Sequence, residues 1–360
     1  AALERDYETF DSLMAGIQPD SHFWLTGRMV RALQLGGDRE WAAVEADLRK
    51  APEREIATVG GHALFLVEDA AAAARALDLL VEPSRSVEIR TIGHLMYAHL
   101  HMAGGRWRAA SASLDSARTL DPVGVVGHAG LLHAMPLLPI PAAQLQKVHA
   151  AIAATTPGRT LDSGIQSYAG DDTLQAAIRE YTLGLLDARL GRMDEARRRA
   201  AALERIGRDS APGMADAFAA TIRAQVHLAA GAAARADAEL NGTRWMPRSR
   251  AILTFSPLLG LRHERFLRAE ALDRLGRHEQ ALGWLASFAE HSASGRIYLA
   301  PAHFRRGEIL ERLGRGKEAA AAYQRFVALW DRADPEFQVL VTEARRRIAQ
   351  LTSEVSGRQR

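Results

Sequence analysis

One spacing recurs along the chain and limits what it can fold into: a glycine followed five residues later by an alanine. The six pairs are Gly37 and Ala42, Gly105 and Ala110, Gly191 and Ala196, Gly231 and Ala236, Gly276 and Ala281, and Gly314 and Ala319. Apolar residues on both sides of each glycine recur every three or four positions, the period of a helix. Glycine ends a helix readily because it adopts left-handed geometry without a Cβ clash. The small alanine lets a second helix approach the first, so each pair predicts a helical hairpin.

The intervals between these glycines predict about eight hairpins. The last three intervals are 40, 45 and 38 residues, and the two longest intervals each hold a degenerate unit. One unit covers 54–82 with Glu68 at its turn, and the other covers 123–155 with its turn at 136–141. A single hairpin of this kind cannot bury its own apolar stripe, so its neighbours must stack on it. We therefore predict an all-α chain that forms an α-solenoid.

The hairpins carry a family resemblance. They have small residues in the first helix at Gly184, Ala269 and Gly307, the turn glycine, the alanine five later, and Pro122 closing the segment LDSARTLDP. This pattern resembles the tetratricopeptide repeat, which implies a right-handed superhelix with a concave groove. The last part of the chain, from SGRIYLAP to RRRIAQL, is also similar to arrays fused to bacterial serine/threonine kinases or transcriptional regulators. In those proteins the array is a sensing or docking module.

Longer connections divide the predicted array. We expect N-terminal hairpins over 1–155, a connecting loop over 156–172, and C-terminal hairpins over 173–333 with an inserted loop at 241–260. Both loops are rich in turn-forming residues, and insertions in solenoids often lie at one edge, where partners are met. A capping helix is expected over 334–351, starting at Asp334-Pro335, and the residues after it should fray.

Composition excludes several classes of function. The chain has 360 residues and no cysteine, which excludes disulfides, thiol catalysis and cysteine zinc sites. Of its 46 basic residues 43 are arginine, yet these alternate with acidic residues and the net charge is only +3, which argues against a nucleic-acid partner. The uncharged stretch 122–146 holds four prolines, so we interpret it as buried helices and expect no transmembrane segment. We expect a cytoplasmic chain, and a periplasmic or extracytoplasmic fragment stays open.

The search for chemistry finds no catalytic signature. There is no phosphate-binding loop ending in Gly-Lys-Ser/Thr, no His-Glu-x-x-His, no nucleophile elbow and no calcium loop. We therefore expect neither enzyme activity nor a cofactor.

Positions six residues before each turn are expected to face the concave groove, because this face lines the groove in the resembled family. The groove-binding candidates on this basis are Arg31, His62, His99, His133, Gln225, Glu270 and Glu308, and the aromatic candidates on the same face are Trp24, Phe65, Tyr181 and Phe266. Aromatic residues at this helical spacing are more often core residues than a binding platform, so both interpretations of the aromatics stay open. Basic groups lie toward the N-terminal half and carboxylates toward the C-terminal half, a gradient that would orient an extended ligand. Three interpretations of the histidines stay open: structural residues bonded to the backbone, a pH-responsive groove for a peptide or small-molecule ligand, or a metal site.

Two functional hypotheses follow from these features. The first is a non-catalytic scaffold that binds a protein or peptide partner through the concave groove. The alternative is a ligand-sensing regulatory module of a larger bacterial signalling protein, a kinase or a transcriptional regulator. An enzyme within the solenoid is a third hypothesis, and it lacks a polar constellation to support it.

Overall fold

Every element that the structure describes is helical. In the computed structural model the described residues are 9, 12, 14–17, 22–67, 69–158, 172–209, 213–242, 258, 261–288 and 295–358. The first nine helices are α1 (His22–Arg31), α2 (Gly37–Lys50), α3 (Glu53–Leu66), α4 (Ala70–Asp78), α5 (Val87–Ala103), α6 (Trp107–Leu120), α7 (Val126–Ala134), α8 (Ala142–Ala154) and α9 (Asp172–Arg189). The others are α10 (Met193–Asp209), α11 (Met214–Ala229), α12 (Ala233–Asn241), α13 (Arg262–Arg274), α14 (His278–Ala286), α15 (Arg296–Arg312), α16 (Gly316–Trp330) and α17 (Gln338–Arg358). A short π-helix, Ala32–Gly36, follows α1.

The first sixteen helices pair into eight hairpins, numbered here from hairpin 1 (α1 and α2) to hairpin 8 (α15 and α16). All six predicted turn glycines have positive φ angles, between 64° at Gly37 and 77° at Gly191. Of the six alanines that follow them, five are fully buried between the helices of their hairpin. The prediction is wrong for Ala42, which is exposed because hairpin 1 turns through the π-helix and buries Trp41 instead.

The two degenerate units also fold as hairpins. Hairpin 2 consists of α3 and α4, and Glu68 at its turn lies outside the described residues. Hairpin 4 consists of α7 and α8, and Leu137 in its turn adopts a φ of 67°. The chain is therefore an α-solenoid of tetratricopeptide-like hairpins, as the glycine spacing predicts.

Small residues set the distance between packed helices, both within a hairpin and between neighbouring hairpins. A Cβ on Gly184 would lie 2.4 Å from the Ile222 side chain of the next hairpin, and one on Gly307 would lie 2.5 Å from the Tyr323 ring. A Cβ on Gly130 would lie 2.2 Å from Thr182. Adjacent helices can approach this closely only where one of them has no side chain.

The last helix is longer than predicted. It begins at Gln338, after a turn at Asp334 and Pro335, and it continues through residues 352–358 that were expected to fray. Its inner side buries Val341 and Ala344 against α16, while Arg345 and Arg346 lie on its exposed side. Helix α17 thus caps the end of the array.

The apolar core has a break within α5. One cluster of buried residues extends from Leu25 to Leu100, and a second extends from Leu95 to Ala344. The predicted connecting loop at 156–172 and the loop at 241–260 lie almost wholly outside the described residues, so the division of the array at those loops stays a prediction.

The array also returns onto itself. The first helices of hairpins 3 to 8, here called the inner helices (α5, α7, α9, α11, α13 and α15), each contact the next, and α15 contacts α5. The Trp330 indole donates a hydrogen bond to the Ala103 carbonyl at 3.1 Å, and the Asp334 amide donates to Gly105 at 3.1 Å. The Arg108 amide donates to the Asp334 carboxylate at 2.8 Å, across 226 residues of sequence. Six hairpins therefore complete one turn and meet at a seam between hairpins 3 and 8.

Candidate binding surfaces

A buried polar cluster fills the space among the inner helices. Each inner helix contributes at least one side chain to this central network: His99, His128, Tyr181, Thr221, His263, Glu264 and Tyr298. Buried polar groups are stable only when their hydrogen bonds are satisfied within the protein. The central network therefore links helices that are far apart in the sequence.

Glu264 is the acidic centre of this network. The Tyr181 hydroxyl donates to Glu264 Oε1 at 2.9 Å, and the Thr221 hydroxyl lies 3.2 Å from the same oxygen. Burial raises the pKa of the Glu264 carboxyl, because the charged form loses its hydration in the interior. Three inner helices thus meet at one carboxyl group.

Burial keeps the histidines of the interior neutral. His99 Nε2 and His128 Nδ1 are 2.9 Å apart, so one ring donates a hydrogen bond and the other accepts it. Burial, with the nearby charge of Arg262 as a second cause, lowers the pKa of His99 to about 4. Burial also lowers the pKa of His133 to about 4 and that of His263 to about 3.

Four groove candidates lie in this interior rather than on an open surface, which corrects their predicted position. His99, His133, Tyr181 and Phe266 are all at most 4% exposed. The Tyr181 ring stacks on Phe218 at 4.0 Å, and His133 Nδ1 bonds to the Ala129 carbonyl at 2.8 Å. All four side chains are packed among the helices of the array. The inward face is filled because the array closes on itself.

The N-terminal candidates are more accessible. Trp24, Arg31 and His62 are half-buried, and the side chain of Phe65 lies outside the described residues. The Arg28 guanidinium lies 4.5 Å over the Trp24 ring, and His62 Nδ1 is 2.8 Å from the Thr26 hydroxyl. His62 thus bonds to α1 of the neighbouring hairpin.

The C-terminal candidates are half-buried and largely neutralised. Arg305 donates to both oxygens of Glu270, at 2.6 and 2.8 Å, and also pairs with Glu308. Gln225 lies half-buried on α11. The predicted excess of negative charge at this end is therefore balanced by an arginine of the same face.

On the outer face, the side of the second helices of the hairpins, described residues form two open clefts. The hairpin-6 cleft has a volume of about 600 Å³ and lies between α11 and α12, and the hairpin-8 cleft has a volume of about 560 Å³ and lies among α14, α15 and α16. Their linings correspond in the repeat, because Ala220, Arg223 and Ala238 in the first occupy the positions of His303, Arg306 and Ala321 in the second. The two clefts are thus the same groove of the repeat, two hairpins apart.

An arginine marks this groove in three consecutive hairpins. Arg223, Arg268 and Arg306 each lie eight residues before the turn glycine of their hairpin. Sequence reasoning missed them, because it compared only the positions that face the groove in the resembled family. The same alignment on the glycines contains the signal.

Other classes of site find no support in the part of the chain that the structure describes. No group of three or more histidine, aspartate or glutamate side chains there could hold a metal ion. None of its helices combines the length and the apolar character that crossing a membrane requires.

Comparison with known proteins gives only distant similarity. No family model matches the chain, and no curated protein matches it. Among solved structures, the crystal structure of the APC/C hetero-tetramer Cut9-Hcn1 aligns over 95% of this chain and 70% of that chain, at 11% identity and a TM-score of 0.38. The TPR domain of P58(IPK) aligns over 97% of this chain and 99% of that chain, at 13% identity and a TM-score of 0.25. These scores are too low to place the chain in a family, so its repeat class rests on its own hairpins.

Proposed function

We propose that the chain is a non-catalytic scaffold that binds a protein partner on its outer face, through the clefts of hairpins 6 and 8. The observation that supports this proposal is the pair of open clefts at equivalent positions of the repeat. The inner face of the same hairpins is occupied by buried side chains and offers a partner no comparable surface.

The lining of the clefts has the composition of a docking surface. In the hairpin-8 cleft, Leu282, Leu310 and Ala322 form an apolar floor, and Glu279 and Arg315 lie at the rim. Interfaces commonly combine an apolar centre with a polar rim, since the centre supplies affinity and the rim supplies specificity. A segment of a partner protein fits this arrangement better than a small ligand, because both clefts are open and shallow.

The test is a variant that blocks both clefts without changing the core. Ala238 and Ala321 are exposed and line the two clefts, so Ala238→Trp with Ala321→Trp fills them. Ala234 and Ala328 are exposed on the same helices outside the clefts, and their replacement by tryptophan is the matched control. A partner captured by the wild-type chain and then purified should lose binding to the first variant and keep it for the second. Equal binding to both variants would contradict the proposal.

The inner groove supports a narrower proposal in hairpins 1 and 2. There Trp24, Arg31 and His62 remain half-buried, so a peptide could reach them without opening the seam. Substituting Arg31 and His62 by alanine should then weaken peptide binding, while the blocked outer clefts should leave that binding unchanged.

A ligand-sensing regulatory module is the second candidate function. His263 of the central network favours it, because its Nε2 is buried and has no hydrogen-bond partner among the described residues. A small molecule that reached the interior could form a hydrogen bond with this ring nitrogen. A thermal-shift screen of metabolites should then find a ligand whose effect disappears in His263→Phe, and no such ligand would leave the scaffold as the better proposal.

A further inference from the structure

The arginines of the outer face occupy one repeat position but have different partners. In hairpin 6, Arg223 Nε donates to Glu239 at 2.9 Å, and its Nη1 pairs with Glu204. Glu239 lies eight residues after the turn glycine Gly231. The repeat itself therefore supplies carboxylates to this arginine.

In hairpin 7 an aromatic ring takes the place of the carboxylate. Trp284 lies eight residues after Gly276, and the Arg268 guanidinium lies 4.8 Å from the centre of its ring. Burial lowers the pKa of Arg268, and the carboxylate of Asp237 in the preceding hairpin opposes that change. This arginine is thus stabilised by a cation–π contact and a neighbouring acid.

Hairpin 8 has neither the aromatic ring nor the aspartate that stabilise Arg268 in hairpin 7. The residue eight positions after Gly314 is Ala322, and the residue equivalent to Asp237 is Leu282. Arg306 Nε is buried without a hydrogen-bond partner, as Arg268 Nε also is, and Arg306 forms no ion pair among the described residues. At the rim, the hydrogen bond from Arg315 lowers the pKa of Glu318, and the charge of Arg306 helps to lower it further. Unlike Arg268, Arg306 has no cation–π contact with an aromatic ring of the described residues. Ala322, at the repeat position of Glu239 and Trp284, lines the open cleft of hairpin 8.

We propose that the hairpin-8 cleft binds an apolar segment of a partner protein that carries one carboxylate, and that this carboxylate pairs with Arg306. This inference rests on the scaffold function proposed above and names the chemistry of its partner. Hairpin 6 shows how a carboxylate binds at this position, because there the equivalent arginine, Arg223, pairs with glutamates of its own chain.

The rim charges limit the occupant to a single acidic group. Arg315 Nη1 donates to Glu279 at 3.0 Å, and its Nε donates to Glu318 at 2.7 Å, so these three groups satisfy one another. A segment with many carboxylates would be repelled by Glu279 and Glu318. Leu282, Leu310 and Ala322 supply the apolar contact, and Arg306 supplies the charge.

The experiment uses short alanine–leucine peptides with one central glutamate and, as the matched probe, the same peptides with glutamine. Fluorescence anisotropy should show binding of the glutamate peptide to the full chain and about tenfold weaker binding of the glutamine peptide, since hydrogen bonds to charged groups contribute this much. Arg306→Gln should remove the preference for glutamate. Ala322→Glu should compete with the peptide, because it supplies the carboxylate from within the chain.

Two controls separate this inference from the scaffold proposal. Arg268→Gln changes the equivalent arginine of hairpin 7 and should leave peptide binding unchanged. Ala321→Trp blocks the cleft without touching Arg306 and should abolish it. If Ala321→Trp abolishes binding while Arg306→Gln does not, or if both peptides bind alike, the cleft docks a partner but the carboxylate inference is wrong. If no peptide binds, or if neither substitution affects binding, the inference is overturned as well, and the scaffold proposal then depends on the test with the captured partner.

Discussion

The inner and outer faces of the superhelix are built from the same repeat but differ in which side chains a partner can reach. On the inner face, Tyr181, Thr221 and Glu264 satisfy one another across three hairpins. On the outer face, Arg268 lies over the Trp284 ring in hairpin 7, and open clefts lie beside the equivalent arginines of hairpins 6 and 8. Closure of the array decides this difference, because it turns the concave side of hairpins 3 to 8 into a core. The face that a partner can reach is then the convex one.

Low pH should have the largest effect on stability, because it favours protonation of the buried histidines of the inner face. Burial lowers the pKa of His99 and His133 to about 4 and of His263 to about 3, whereas an unfolded histidine titrates near 6.5. A lowered histidine pKa gives stability that is present above pH 6.5 and is lost as the pH falls below it. At pH 5 the loss should be about 2 kcal/mol per histidine. The raised pKa of Glu264 acts in the opposite direction and offsets part of this.

Urea unfolding at pH 7 and pH 5 checks this prediction. His133→Met replaces the imidazole with an apolar side chain of similar size that does not titrate. It should reduce the difference in unfolding free energy between pH 7 and pH 5 by about 2 kcal/mol. Equal stability at both pH values would mean that the inner histidines are accessible to solvent and that the inner face is open.

A substitution at the seam should have the next largest effect. A Cβ on Gly105 would lie 2.6 Å from Ala333 and 3.1 Å from the Trp330 ring, whereas one on Gly276 would meet nothing within 4 Å. Both glycines have φ angles near 70°, so Gly105→Ala and Gly276→Ala share the same backbone cost of about 1–2 kcal/mol. Gly105→Ala should lower the free energy of unfolding by about 1–3 kcal/mol more than Gly276→Ala, because its added methyl group overpacks the seam. Equal midpoints in thermal unfolding would show that hairpins 3 and 8 are not in contact in solution.

Substitutions of Glu264 should have a smaller effect on the free energy of unfolding. Glu264→Leu leaves the buried Tyr181 hydroxyl without its acceptor and should cost about 1–3 kcal/mol. Glu264→Gln keeps an acceptor and needs no charge, so chemical denaturation should find it close to the wild type. A large loss in the glutamine variant would mean that the carboxylate is ionised and that the interior is more hydrated than its burial indicates.

The smallest effects should be on the outer face. Arg223→Gln and Arg268→Gln each remove an existing contact and should cost about 0.5–1 kcal/mol. Arg306→Gln removes no hydrogen bond of the buried Nε and only a weak electrostatic interaction with Glu318, so it should leave the unfolding free energy within about 0.5 kcal/mol of the wild type. A clear loss for Arg306→Gln would show that the chain already satisfies this arginine.

The sequence predicts the local architecture well, because each hairpin is specified by nearby residues. Gly191 and Gly314 end their first helices, Gly184 permits the close approach of the next hairpin, and Gly307 permits that of the second helix of its own hairpin. Even the degenerate hairpins 2 and 4 could be located from their turns. Ala42 is the exception, since the π-helix before Gly37 shifts the second helix out of register.

The closure could not be predicted from the sequence. It depends on small angles between neighbouring hairpins that accumulate over six units, and no spacing encodes them. The contact of Gly105 with Trp330 and Asp334 joins residues more than 200 positions apart. The burial of His99, Tyr181 and Phe266 likewise followed from contacts that only the structure contains.

Locking the seam tests most directly whether partners bind outside a closed superhelix. The chain has no cysteine, so Arg108→Cys with Glu336→Cys introduces the only two thiols, at side chains that pair across the seam. A bismaleimide should link them within one molecule, and the linked protein should bind its captured partner with unchanged affinity. Loss of binding on cross-linking, with recovery in the unlinked double variant, would show that the seam must open and that the partner uses the inner groove.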